Sequence, residues 1–178
     1  TLLTTPVSRW QILVGKMMVV VTSGMLAASC ALLGLFVSIE FLDIVHNKEI
    51  LDIVHGILTP SFIIAMFSLL FPLVVFFAGA MIPIAVYAKS FKEAQSIITP
   101  LNFVMVLPAM IGFFPGIELN AITAAIPVVN IVLSTKELIS GTLSVGYYCI
   151  SLGIMLLLAT LSVIVSYRQF GNEARILN

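Results

Sequence analysis

Charge is what this sequence has least of. Of its 178 residues, 8 are Lys or Arg and 8 are Asp or Glu, 9% in all, where a soluble domain carries roughly 25%. Hydrophobic residues make up 61%. A water-soluble fold of this length has too little interior to hide so much apolar surface. The composition therefore excludes an ordinary soluble domain and predicts an integral membrane protein. Net charge is zero, which removes the electrostatic basis for nucleic-acid binding. Cysteine is scarce too. Cys30 and Cys149 both sit in apolar runs and read as small buried residues rather than a disulfide. No GxxxxGK[ST] loop is present, so any use of ATP needs a partner. A serine nucleophile elbow and an HExxH zinc motif are also missing. The chain does not read as an enzyme and implies no cofactor of its own. It begins at Thr1 without an initiator methionine and reads as a C-terminal fragment of a longer chain. The first apolar run is too long for a signal-peptide core and lacks a cleavage site.

What is there is length without charge. The stretches 17–39, 56–88, 94–117 and 138–167 contain no charged residue. Each meets the roughly 20 apolar residues that a helix needs to cross a hydrocarbon core of about 30 Å. Backbone in lipid must satisfy its own hydrogen bonds, so these runs should be helices. They do not alternate as barrel strands would. The expected fold is an all-α integral membrane protein, one transmembrane domain over 1–178, with membrane helices at 8–39, 56–88, 94–117 and 141–167.

The few charges then orient it. With the N-terminus cytoplasmic, Arg9, Lys16, Lys89, Lys92, Arg168 and Arg175 fall inside, while only Lys48 and Lys136 fall outside. That is the asymmetry of the positive-inside rule. The expected location is the plasma membrane, with both termini of the chain cytoplasmic.

Two stretches are irregular. The run 94–117 holds Pro100, Pro108 and Pro115 with Gly112 and Gly116, and interior prolines bend helices. The segment GIELNAITAAIPVVNIVLSTKELISG, 116–141, is apolar enough to enter the membrane, yet it carries Glu118, Asn120, Pro127, Asn130, Lys136 and Glu137. One full crossing there would turn the last helix over and put Arg168 and Arg175 outside. A re-entrant hairpin of two short helices over 118–140, entering and leaving from the outer side, keeps the charge rule. Ionisable groups at membrane depth are costly and are functional suspects. Glu118, Asn120, Asn130, Lys136 and Glu137 are therefore candidate transport-path residues. The plainer readings are that Glu118 sits at the interface, that Lys136 and Glu137 are solvated or paired, and that the asparagines satisfy broken backbone.

Three smaller signals remain. LDIVH occurs at 42–46 and again at 51–55, pairing Asp43 with His46 and Asp52 with His55. A metal site is conceivable, but a nine-residue offset turns the two pairs to opposite helix faces, and an acidic solvated loop is the simpler reading. KSFKE at 89–93 reads as a basic topology anchor. Ala27, Ala31 and Gly34 share a helix face and permit close packing against another helix.

The opening, TLLTTPVSRWQILVGK, reads either as an ordinary interfacial loop, the plainer reading, or as an elbow that carries force from a cytosolic partner into the bilayer. Pro6 pushes Thr5 out of helical geometry. Ser8 with Gln11 then forms a capping box that starts a new helix. Arg9 and Lys16 would snorkel to the head groups, and Trp10 suits the interface. Thr1, Leu2, Leu3, Pro6, Ser8, Arg9, Gly15 and Lys16 resemble the stretch of type-2 ABC exporter permeases where a cytoplasmic coupling helix runs into a membrane helix. AKSFKEAQSIITPL (88–101), FPGIEL (114–119) and IPVVNIVLSTKELISG (126–141) resemble the sodium-extrusion (Nat-type) permeases of that family.

That resemblance covers essentially the whole chain and carries several expectations. The chain would hold the last four of six membrane helices. Residues 1–7 would end a coupling helix. Leu3, Pro6, Ser8, Arg9, Trp10 and Lys16 would face an ABC ATPase subunit, which binds the ATP. A second permease copy would complete the transporter, and sodium efflux would be its task. An ATP-independent secondary transporter and a non-transporting membrane scaffold are the alternatives.

Overall fold

A computed structural model describes residues 9–40, 59–88 and 90–172. Five α-helices account for most of them: α1 Arg9–Glu40, α2 Pro60–Tyr87, α3 Phe91–Met110, α4 Val129–Ser140 and α5 Val145–Asn172. Two short 3-10 turns, Ile111–Phe113 and Thr123–Ala125, lie between α3 and α4. Four helical stretches are long and apolar enough to span a membrane: Trp10–Ser38, Pro60–Ile84, Phe91–Phe113 and Val145–Gln169. Large apolar side chains such as Leu26, Leu33, Phe103 and Leu107 are exposed along these helices. Water would not tolerate apolar surface on this scale, and hydrocarbon does. The fold is that of a multi-pass helical membrane protein.

Local chemistry sets the helix ends. Thr59 caps α2, its hydroxyl accepting from the Phe62 N–H at 3.3 Å, with Pro60 in the first helical position. Ser90 caps α3 by accepting from the Glu93 N–H at 3.2 Å. This helix thus starts three residues before the charge-free run, because Lys92 and Glu93 belong to its first turn. It also stops earlier than expected, at Met110 with a 3-10 turn to Phe113, and Pro115 and Gly116 lie beyond it. Gly141, in left-handed conformation at φ +71°, closes α4. The residues Arg9–Glu40 agree with the helix expected over 8–39. Ser8 lies outside the described residues, as do Leu3 and Pro6, the LDIVH repeat, Lys48, Lys89 and Arg175.

The helices pack around a seam between α2 and α5. Gly79 lets them approach closely, since a Cβ there would meet the Ser162 backbone carbon at 2.9 Å. The Ser166 hydroxyl donates to the Gly79 carbonyl. Nearer the other end, the Ser68 and Tyr148 hydroxyls bond each other, and Tyr148 also donates to the Ala65 carbonyl at 3.3 Å. Residue numbers therefore rise together along the seam, so α2 and α5 run parallel. The helix α1 is antiparallel to both. Leu13 and Met17 cluster with Ala78 and Ile82, Gly24 meets Val74, and Trp10 stacks edge-on against Tyr167 with centroids 5.5 Å apart. Because α3 connects the ends of two parallel helices in sequence, the chain from 111 to 144 leaves and returns at one end of the bundle.

Two expectations about packing differ from what is found. Cys30 and Cys149 are both free, as expected, but they are exposed on helix flanks rather than buried. The face bearing Ala27, Ala31 and Gly34 is exposed, and nothing lies within 4 Å of a Cβ built at Gly34. The close approach of α1 to α2 uses Gly24 instead.

Candidate functional site

The excursion between α3 and α5 gathers most of the polar chemistry. Its first limb, from Phe114 to Val128, is turns and a single 3-10 turn rather than a short α-helix. Asn120 organises it. The Asn120 Oδ1 accepts from the N–H groups of Ile122 and Thr123 at 2.9 and 3.0 Å, and the Thr123 hydroxyl accepts from the Asn120 N–H at 2.8 Å. This reciprocal arrangement satisfies backbone donors that no helix could use. Leu119, Ala124, Val129 and Leu133 form a small apolar core under it.

The second limb is α4, an amphipathic helix of 12 residues. Its buried start packs deep in the bundle. Ile131 clusters with Leu69 of α2 and Met155 of α5, which lie nine and ten residues beyond the first residues of those helices, about 15 Å at 1.5 Å per residue. The other end of α4 rises to Gly141, four residues before α5 begins. Val128, at the tip, has φ +71° and ψ −51°. That conformation is strained for a β-branched residue.

Lys136 and Glu137 hold the two limbs together. The Lys136 Nζ donates to the carbonyls of Phe114 and Ile117 at 3.1 and 3.3 Å. The Glu137 Oε1 accepts from the Leu119 N–H at 2.5 Å. Adjacent residues of opposite charge thus bind adjacent stretches of bare backbone. Above them opens a cleft of about 540 Å³, whose polar lining is Glu118, Lys136, Glu137, Ser140, Thr142, Ser144 and Tyr147. Glu118 is exposed at its rim. Two carboxylates against one ammonium give the cleft a formal charge of minus one, which suits a hydrated cation or a hydroxyl-bearing ligand. No group of three or more His, Cys, Asp or Glu side chains comes together among the described residues.

The structure therefore brings Glu118, Lys136 and Glu137 into one cleft. It sets Asn120 in a turn of the first limb. Asn130 is apart from all of them and fully buried at the tip, donating through Nδ2 to the carbonyls of Ala124 and Ser151 at 3.2 and 3.4 Å. Sequence reasoning missed Ser134 and Ser151, which are buried as fully as Asn130. The spacing of Asn130 and Ser134, four apart within an apolar run, was the available signal. At the opposite end of the bundle, Arg9 opens α1, Trp10 is exposed against Tyr167, and Lys16 is exposed nearly two turns on. These three residues and the cleft lie at opposite ends of the same bundle, and Leu3, Pro6 and Ser8 lie outside the described residues. Comparison with protein-family models, curated proteins and solved structures finds no match for this chain.

Proposed function

We propose that this chain is the membrane-spanning permease part of an ATP-driven ABC exporter, coupled to a separate ATPase subunit and paired with a second permease copy. Sodium efflux is the favoured task. The observation that carries this reading is the excursion between parallel helices α2 and α5, closed on itself by Lys136 and Glu137. In this reading it is a re-entrant segment that enters from the outer leaflet. A tip about 15 Å below the helix ends would then lie near the middle of a core about 30 Å thick. The resemblance of the opening TLLTTPVSRWQILVGK to a coupling helix supports the same assignment, with Leu3, Pro6, Ser8, Arg9, Trp10 and Lys16 at the ATPase-facing end. The cleft with Glu118, Lys136 and Glu137 sits at the opposite, outward end of the transport path. Asn120 and Asn130 line the fold below it.

The test is sodium efflux from proteoliposomes holding the permease and its ATPase subunit. ATP hydrolysis and efflux should both require the pair, and removing residues 1–7 should uncouple them. Undiminished efflux after that deletion contradicts the coupling role. A second reading, an ATP-independent secondary transporter, is favoured by the broken backbone at Val128 beside buried Asn130. Efflux driven by an ion gradient alone, without nucleotide or ATPase, would select it.

A further inference from the structure

We propose that Asn130, Ser134 and Ser151 together bind a buried water molecule between the tip of α4 and α5. All three side chains are sealed from solvent, with relative exposures of 0, 1 and 0%. The two carbonyls that accept from the Asn130 Nδ2 fix the orientation of its amide, and its Oδ1 is then left without a donor. The Ser134 and Ser151 hydroxyls also have no partner. Several other helical hydroxyls among the described residues bond back to their own helix. Thr135, next to Ser134, donates to Ile131 O at 2.8 Å, Ser29 donates to Met25 O at 2.8 Å, and Ser162 donates to Ala159 O at 2.8 Å. Ser134 and Ser151 forgo that bond and lose solvent as well. Such groups are costly unless something else meets them.

They lie in one part of the fold. Asn130 and Ser134 are a turn apart on α4, on one face. The Asn130 amide reaches the carbonyl of Ser151, so that face meets α5 at Ser151. The chemistry of the site selects water. Oδ1 only accepts, whereas each hydroxyl can donate or accept, and a ligand that does both satisfies all three. Buried waters typically make about three such bonds. A cation is disfavoured because none of the three groups is charged and Asn130 lies in the first turn of α4, at the positive end of the helix dipole. An anion would face the Oδ1 lone pairs. The water would join the excursion's tip to α5 by polar contacts in an otherwise apolar setting. This inference does not depend on the transport reading.

Water-edited solid-state NMR of the full chain in lipid bilayers, with labelled serine, tests it. Magnetisation from water should reach Ser134 and Ser151 at a rate comparable with exposed Ser140. It should reach Ser162 slowly, since that buried hydroxyl is already bonded to its own helix. Ser134→Ala should slow the transfer to Ser151, and Ser151→Ala the transfer to Ser134. Transfer to both serines as slow as to Ser162 would overturn the proposal. So would a shift of the Ser134 and Ser151 signals when sodium chloride replaces choline chloride, because that would mark a cation. The unsubstituted spectrum decides the first point even if a variant fails to fold.

Discussion

The carboxylate of Glu137 accepts the backbone N–H of Leu119 at 2.5 Å, across eighteen residues of chain. Its neighbour Lys136 does the opposite, donating to the carbonyls of Phe114 and Ile117. The Pro115–Gly116 break leaves this backbone without helical partners. In a low-dielectric setting each unpaired peptide group is expensive. The two charges thus serve as substitutes for a helix, and the excursion closes because of them.

The first prediction follows from that pairing. Glu137→Ala should lower the unfolding free energy by about 1–3 kcal/mol, the usual effect of orphaning a partly buried donor. Glu137→Gln keeps an acceptor and should lose less. Lys136→Met should resemble Glu137→Ala. Thermal or detergent-induced unfolding of the reconstituted protein reads all three.

Gly79 sets a second. A methyl group there would lie 2.4 Å from the Ser162 hydroxyl and 2.9 Å from its backbone carbon. Backbone cannot yield as a flexible side chain can, so Gly79→Ala should destabilise by about 1–3 kcal/mol through overpacking. Gly153, on the same α5, has nothing within 4 Å. Gly153→Ala should be neutral or stabilising by up to about 1 kcal/mol, as expected for a helix interior. Equal effects at the two sites would contradict the close seam between α2 and α5.

Val128 gives a third. Glycine adopts φ +71° without the Cβ penalty. Val128→Gly should therefore offset its loss of side-chain packing with relief of about 1–3 kcal/mol of backbone strain, leaving stability unchanged or raised. Val128→Ala keeps the strain, loses packing, and should be the less stable of the two in the same unfolding measurement.

A fourth uses the only tryptophan. Trp10 meets the ring of Tyr167 at 81°, an edge-on pair worth about 0.5–1.5 kcal/mol. Tyr167→Ala should shift the fluorescence of Trp10, while Tyr167→Phe should leave it nearly unchanged. Identical spectra for the two variants would separate the start of α1 from the end of α5.

The four long helices were legible because hydrocarbon imposes a simple requirement, an uncharged run of sufficient length. Their starts were less so: Lys92 and Glu93 lie inside α3 because Ser90 caps it, and a charge-free criterion cannot see a cap. That Asn130 meets broken backbone was legible, but the particular partners of Lys136, Glu137 and Asn130 were not. Each bonds to a backbone group 6 to 22 residues away, a relationship fixed by the path of the chain rather than by local pattern. The same holds for Gly79 and Ser162. Small residues in α1 gave the more regular stripe, yet the tight contact formed where a lone glycine met a serine of a helix 83 residues later. Val128 carries no sequence signal, since a β-branched residue is not one that a positive φ selects.

The most direct test asks whether the excursion returns to the side it leaves. Glu118→Cys and Thr142→Cys, each placed in a Cys30→Ala, Cys149→Ala background, can be probed with a membrane-impermeant maleimide in sealed vesicles, with Lys92→Cys as the reference for the other end of the bundle. Both excursion sites should react from one side and Lys92→Cys from the opposite side. Reaction of Glu118→Cys and Thr142→Cys from different sides would contradict the parallel course of α2 and α5 and the transport reading built on it.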